Sequence, residues 1–300
     1  MQVSRARTLP VMAAPVVIGA VLAWQQGSLF HWGLFVLAFI GAMAAHLGAN
    51  LINDLFDFGA GTDQAAQAIT YQGSTVVTGS KFLLNGKLTI TYYRKLAIAS
   101  FAVALLCGLV LTIFRPWALL FGIVGFLLAS FYVAPPVRLA YIGRGLGEID
   151  ILISFGILPL AGSFYVQTST ITHIALLAAL PIGLYTMVVL YFHHFLHWRA
   201  DKEAGKITPV VALGEKRARI AGALLLLVIA VTIIVDVNLN VFPWYAIFAV
   251  LTIIPVEIAL RQATGDLKHY IKLMSTNLRA NLFSALIILA SLLVSGFSHT

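Results

Sequence analysis

Runs of about twenty apolar residues recur along the whole chain, and no other feature limits its fold so strongly. A helix needs roughly 20 such residues to cross the hydrocarbon core of a bilayer. Backbone inside that core must also satisfy its own hydrogen bonds, which a helix does. Spans are expected near 8–25, 31–54, 91–113, 116–134, 147–167, 171–197, 218–236, 242–260 and 279–297. The implied fold class is all-α: a polytopic membrane protein of about nine transmembrane helices in a bundle. Composition agrees, since 60% of the residues are hydrophobic, only 10% are charged and the mean hydropathy is +0.96. That balance excludes an ordinary soluble domain. No linker separates two units, so residues 1–300 are expected to form a single transmembrane domain. Its motif-bearing cytoplasmic loops fall at 55–90 and 198–217.

The charges orient the spans. The net charge is +8, yet the basic residues sit between apolar runs rather than in a patch, so the pattern signals topology and no nucleic acid partner is expected. Of the 19 Lys and Arg residues, 18 lie before the first span or in even-numbered loops, and Arg115 alone lies on the other side. The positive-inside rule then places the N-terminus in the cytoplasm of a multi-pass protein of the cell (inner) membrane. The one cysteine, Cys107, cannot form an intrachain disulfide. No cleavable signal peptide is expected at the short, basic N-terminus.

The most informative polar stretch is His46-Leu-Gly-Ala-Asn50-Leu-Ile-Asn53-Asp54-Leu-Phe-Asp57-Phe-Gly-Ala-Gly61-Thr-Asp63. Residues three and four apart share a helical face, so Asn50, Asn53, Asp54 and Asp57 are expected as one polar stripe with His46 a turn above. Carboxylates inside a membrane are costly and usually face a cavity where they are used. An all-oxygen set suits Mg²⁺, which keeps several waters and shares a phosphate-bearing substrate. The plain structural alternative is a capped helix end with solvated aspartates.

This stretch resembles the first aspartate-rich motif of the UbiA-type intramembrane prenyltransferases, in the form found in the 1,4-dihydroxy-2-naphthoate enzymes of menaquinone synthesis. Arg5-Ala-Arg7-Thr-Leu-Pro10 is similar to the opening of those enzymes, with Ala6 in place of a proline. The segment from Tyr132-Val-Ala-Pro-Pro to Gly145-Leu-Gly-Glu148 resembles another family segment and contains Arg138 and Arg144, candidate diphosphate clamps because guanidinium binds phosphate in a bidentate manner. The competing reading of those arginines is positive-inside anchoring. Glu148 and Asp150 are expected at the start of span five, where helix-terminus electrostatics favour acids. The loop from about 64 to 90 carries Gly73-Ser-Thr-Val-Val-Thr-Gly79 and Lys81, either an anion-binding nest or an ordinary lid.

The second anchor is His193-His-Phe-Leu-His197-Trp-Arg-Ala-Asp201-Lys202-Glu-Ala-Gly-Lys206-Ile-Thr, running on to Leu213-Gly214. Its tail is similar to the segment immediately after the second motif of the family, in which the motif is Asn-x-x-x-Asp-x-x-x-Asp. Here the three positions are His193, His197 and Asp201, still on one helical face. Two oxygen ligands have become nitrogen ligands, so Mn²⁺ or another divalent metal competes with Mg²⁺ at this histidine-containing site. Alternatively His197 binds diphosphate as a cation, or the histidines merely line a polar rim.

The resemblance implies transfer of a polyprenyl group from an allylic polyprenyl diphosphate to an aromatic acceptor within the lipid bilayer, with loss of the ring carboxylate. It implies a central cavity with a cytoplasmic-side active site, and catalytic roles for Asn53, Asp54, Asp57 and Asp201. Substrate binding falls to Arg7, Asn50, Lys81, Arg138, Arg144 and Lys202, and metal binding to Asn50, Asp54, Asp57, Asp63, His193, His197 and Asp201. Competing functions are a family member with another acceptor or a cyclase activity, a non-catalytic isoprenoid-binding protein, and a histidine-rich membrane oxygenase. The last fails on ligand count, because the chain has only 8 histidines and several lie at loops.

Overall fold

A computed structural model describes residues 8–59, 81–203 and 205–299. Every regular element among them is helical. They are α1 (Leu9–Gln25), α2 (Trp32–Gly59), α3 (Lys81–Leu84), α4 (Ile90–Phe114), α5 (Ala118–Phe131), α6 (Leu139–Ile142), α7 (Leu146–Thr168), α8 (His173–Glu203), α9 (Pro209–Leu213), α10 (Glu215–Asn238), α11 (Trp244–Gln262) and α12 (Leu267–His299). Seven of these, α2, α4, α7, α8, α10, α11 and α12, are long and apolar enough to cross a membrane. The spans expected at 8–25 and 116–134 form shorter apolar helices of 17 and 14 residues.

Two boundaries differ from expectation in ways that matter. Residues 55–59, expected in a loop, continue α2, because no proline interrupts the helix and the first glycine after Asp57 is Gly59. Asp57 is therefore presented by a helix. The last helix begins at Leu267 rather than near 279, which places Lys268, Lys272 and Arg279 on it. An apolar count stops at those charges, whereas helix formation passes through them.

The buried core centres on α8, with α1, α7, α10, α11 and α12 packed around it; Ile18, Leu22, Leu160, Tyr185, Phe192, Leu226 and Ile288 are among its fully enclosed side chains. Close approach of α7 to α8 depends on two glycines. A Cβ on Gly156 would fall 2.3 Å from the Cα of Gly183, and one on Gly183 would fall 2.7 Å from the carbonyl oxygen of Leu152. Small residues that let backbones meet are the usual means of packing helices in lipid, where apolar burial does not drive association. The same stretch of α7 contains a π-helical turn over Ile153–Ile157. Helix α2 packs along α4 and α1, on the far side of an open space from α8. Opposite the motif-bearing ends, the Arg115 guanidinium donates to the carbonyl of Val166 at 2.7 Å, tying α4 to α7.

Candidate active site

The space between α2 and α8 is a cavity of about 1860 Å³. Along α4 its wall runs from Arg94 to Leu111, roughly 25 Å at ~1.5 Å per helical residue. Most of that length is apolar, contributed by residues such as Ile98, Phe101, Leu105, Phe121 and Leu158. The charged side chains gather where α2 and α8 end. Asn50, Asn53 and Asp57 line it from α2, while His193, His194, His197 and Asp201 line it from α8, joined by Arg94 and Lys206.

On α2, Asn50 is positioned by its neighbour a turn back. Its amide N–H donates to Nε2 of His46 at 3.2 Å, and the hydroxyl of Thr8 lies 3.1 Å from the same nitrogen. The His46 ring meets Phe155 of α7 edge-on, with centroids 5.1 Å apart. Asp54 is fully buried and does not line the cavity. Helical geometry explains the departure from a single stripe: at about 100° per residue, Asp57 lies between Asn50 and Asn53, whereas Asp54 falls at the opposite edge of the arc. The Tyr141 hydroxyl donates to Oδ1 of Asp57 at 3.1 Å. Its ring carries Arg138, with the guanidinium carbon 4.5 Å from the centroid, and Lys206, with Nζ at 5.2 Å.

On α8, the rings of His193 and His197 meet at a tilt of 58° with centroids 4.9 Å apart, and Nδ1 of His193 lies 3.4 Å from the sulfur of Met274. His194, one residue out of the expected register, makes the polar link between helices. Its Nε2 lies 3.0 Å from Oε1 of Glu148 on α7, and its Nδ1 lies 4.0 Å from Oδ2 of Asp201. Burial pushes the Asp201 carboxyl above the usual aspartate range; Lys206 and His194 pull it down, and Asp57 pushes it up further. The carboxylates of the two motifs are thus close enough to repel one another.

Other expected site residues lie elsewhere. Arg138, Arg144 and Lys202 do not line the cavity; Arg144 and Lys202 are exposed. Arg7, Asp63 and the Gly73–Gly79 loop fall outside the described residues, as does the side chain of Lys81. Motif spacing does not single out Glu148, His194, Arg94 or Tyr141 as site residues. The adjacent acids and histidines are visible in the sequence, but their pairing across α7 and α8 is not.

Among the described residues, no three His, Cys, Asp or Glu side chains form a ready-made metal cluster. The donor set still fits a divalent cation. Two mutually repelling carboxylates and two amides border one cavity, an arrangement that suits a hard ion completing its coordination with water and phosphate oxygens.

The model describing the UbiA prenyltransferase family matches residues 12–275. The chain is 30% identical over 267 residues to 1,4-dihydroxy-2-naphthoate octaprenyltransferase of Escherichia coli, covering 86% of this chain and 82% of that one. The enzyme of the same name from Mycobacterium tuberculosis is 30% identical, with 87% and 83% covered. The 2-carboxy-1,4-naphthoquinone phytyltransferase of Synechocystis is 29% identical over 69% of this chain, which spans only 63% of that relative's length. Among solved structures, a UbiA homolog from Aeropyrum pernix superposes with a TM-score of 0.70 at 15% identity, covering 95% of this chain and 97% of its own. A UbiA homolog from Archaeoglobus fulgidus bound to GPP and Mg²⁺ superposes at 0.63 with 13% identity, covering 99% and 97%. At those identities the structures support the fold alone.

Proposed function

As the chain belongs to the UbiA prenyltransferase family, we propose that it transfers a polyprenyl group from an allylic diphosphate to an aromatic acceptor of the 1,4-dihydroxy-2-naphthoate type. The observation that carries this reading is the meeting of the Asp57 end of α2 and the Asp201 end of α8 at the charged end of one long apolar cavity. The relatives named as naphthoate octaprenyltransferases support the acceptor class. A long apolar cavity ending in carboxylates and amides suits an isoprenoid diphosphate held with a divalent cation, the pair of ligands bound by the Archaeoglobus fulgidus homolog of the same fold.

Asn50, Asn53 and Asp57 from α2, with Asp201 from α8, are the residues that would hold Mg²⁺. When bound, the ion supplies charge neutralisation to the departing diphosphate. Arg94 and Lys206 add fixed positive charge beside the anion, and the Tyr141 hydroxyl orients Asp57. The apolar wall along α4 holds the isoprenoid tail and excludes water from the carbon that loses diphosphate. The 18-to-1 distribution of basic residues supports a cytoplasmic position for this end.

The test is incubation of the protein in membranes with geranylgeranyl diphosphate, Mg²⁺ and a panel of aromatic acceptors, with products identified by mass. A prenylated naphthoate-derived product is expected. Asp57→Asn is expected to lower turnover at least a hundredfold, about 2.7 kcal/mol of barrier, with the folded yield unchanged. Near-normal turnover in that variant would remove the assignment of this end of the cavity.

A further inference from the structure

The cavity is also lined by two polar residues of α7 that the site described above leaves unassigned. Asp150 lines the cavity but is only 3% exposed, and its Oδ1 has no hydrogen-bond partner among the described residues. One turn further along the helix, Ser154 also lines the cavity, and its Oγ is likewise buried without a partner among them. A buried polar atom left in this state costs roughly 1–3 kcal/mol, so native structures normally satisfy it or reserve it for a ligand. Two other hydroxyls on the same wall are already engaged. Ser163 donates to the carbonyl of Val16 at 2.7 Å; Thr186 donates to Ile182 and accepts from the amide of Asn281 at 3.2 Å.

The place is built rather than incidental. Ser154 sits in the π turn of α7, a feature that tends to mark functional positions. The turn is held against α8 by the Gly156–Gly183 contact. Phe155, next to Ser154, packs on His46, which in turn positions Asn50. The pair is thereby coupled through one ring contact to the motif that carries the reactive end of the donor.

Its chemistry selects the ligand. A carboxylate oxygen accepts hydrogen bonds and repels anions, so it suits neither diphosphate nor a ring carboxylate. The cavity's cationic side chains, Arg94 of α4 and Lys206 after α8, lie on other elements than this pair. Of the groups an organic acceptor carries, a neutral O–H donor on an apolar body fits, with Phe121, Phe155 and Leu158 supplying apolar walls. We propose that Asp150 and Ser154 form the seat for a phenolic hydroxyl of the aromatic acceptor, fixing which face and which edge of the ring meets the allylic carbon. The inference rests on the aromatic prenylation proposed above, and it makes Asp150 a substrate-orienting residue.

The experiment uses the full chain in lipid nanodiscs and two probes, 1,4-dihydroxynaphthalene and its dimethyl ether, with binding measured by tryptophan fluorescence. The wild type is expected to bind the diol at least about tenfold more tightly than the ether, the size of one hydrogen bond to a charged group. Asp150→Asn and Ser154→Ala are each expected to erase most of that preference while leaving affinity for geranylgeranyl diphosphate with Mg²⁺ unchanged, which also reports a folded protein. No diol preference in the wild type, or a preference kept in both variants, overturns the proposal. So does a parallel loss of diphosphate affinity in Asp150→Asn. A wild type that prefers the diol yet yields no prenylated product would instead sink the assigned reaction and leave the hydroxyl seat standing.

Discussion

Nε2 of His194 lies 3.0 Å from Oε1 of Glu148, and both side chains are more than nine-tenths buried. The pair joins the first turn of α7 to the last turns of α8 and holds His194 beside Asp201. It is the polar counterpart of the glycine contact that brings the same two helices together.

Breaking that pair leaves one buried polar group without its partner. His194→Ala is expected to cost about 1–3 kcal/mol of stability, read as a lowered Tm in detergent. Glu148→Gln keeps an acceptor oxygen and should cost less. No loss of Tm from His194→Ala would show that the contact contributes nothing.

The Asp201 carboxyl gives a pH prediction for the protein without metal. Its folded-state value lies above the usual range, chiefly through burial, so the folded state holds this proton more firmly than the unfolded chain does. Stability from this group is therefore expected to fall as pH rises from ~3.9, the unfolded value, up through the raised folded value. In chelator, Asp201→Asn should remove that fall and match or exceed the wild-type Tm at neutral pH. A wild-type slope that persists in the variant would assign the effect to another group.

His197 occupies a position where the resembling motif has an oxygen ligand, with its ring tilted against that of His193. His197→Asp is expected to keep or raise Mg²⁺-dependent turnover, and the wild type should respond to Mn²⁺ better than the variant does. Turnover measured across a metal series decides it. Identical metal profiles for the wild type, His197→Asp and His197→Ala would leave the histidine as cavity lining alone.

The charge asymmetry predicts sidedness. Lys87 and Thr170 are both exposed and lie at opposite ends of the bundle, and the native cysteine, Cys107, is buried. In intact cells, Thr170→Cys should react with an impermeant maleimide and Lys87→Cys should not. The reverse labelling would invert the orientation and move the active site to the outer face.

Much of this site is legible in residue spacing because helical geometry is local. Asn50, Asn53 and Asp57 share a face as their separations require, and Asp201 falls at the end of its helix as its neighbours suggest. Asp54 escapes the stripe because it lies at the edge of the helical arc, where the packing of neighbouring helices decides which way a side chain is covered. Glu148 reads as a helix-terminus acid, since its partner His194 lies 46 positions away and is chosen only when α7 crosses α8. The start of α12 is hidden for a different reason: hydropathy reports membrane solubility, and residues 267–278 are helical without being wholly apolar.

The one-ended charge of the cavity sorts the two products of the proposed reaction by phase. Diphosphate is released where Arg94, Lys206 and the two motifs face water, so its departure is governed by ions in solution. The prenylated ring is apolar over nearly its whole length and leaves along a wall that matches lipid. Build-up of one product answers to ionic composition and build-up of the other to membrane composition. In the proposed reaction, one chamber thus opens its two products to two different phases.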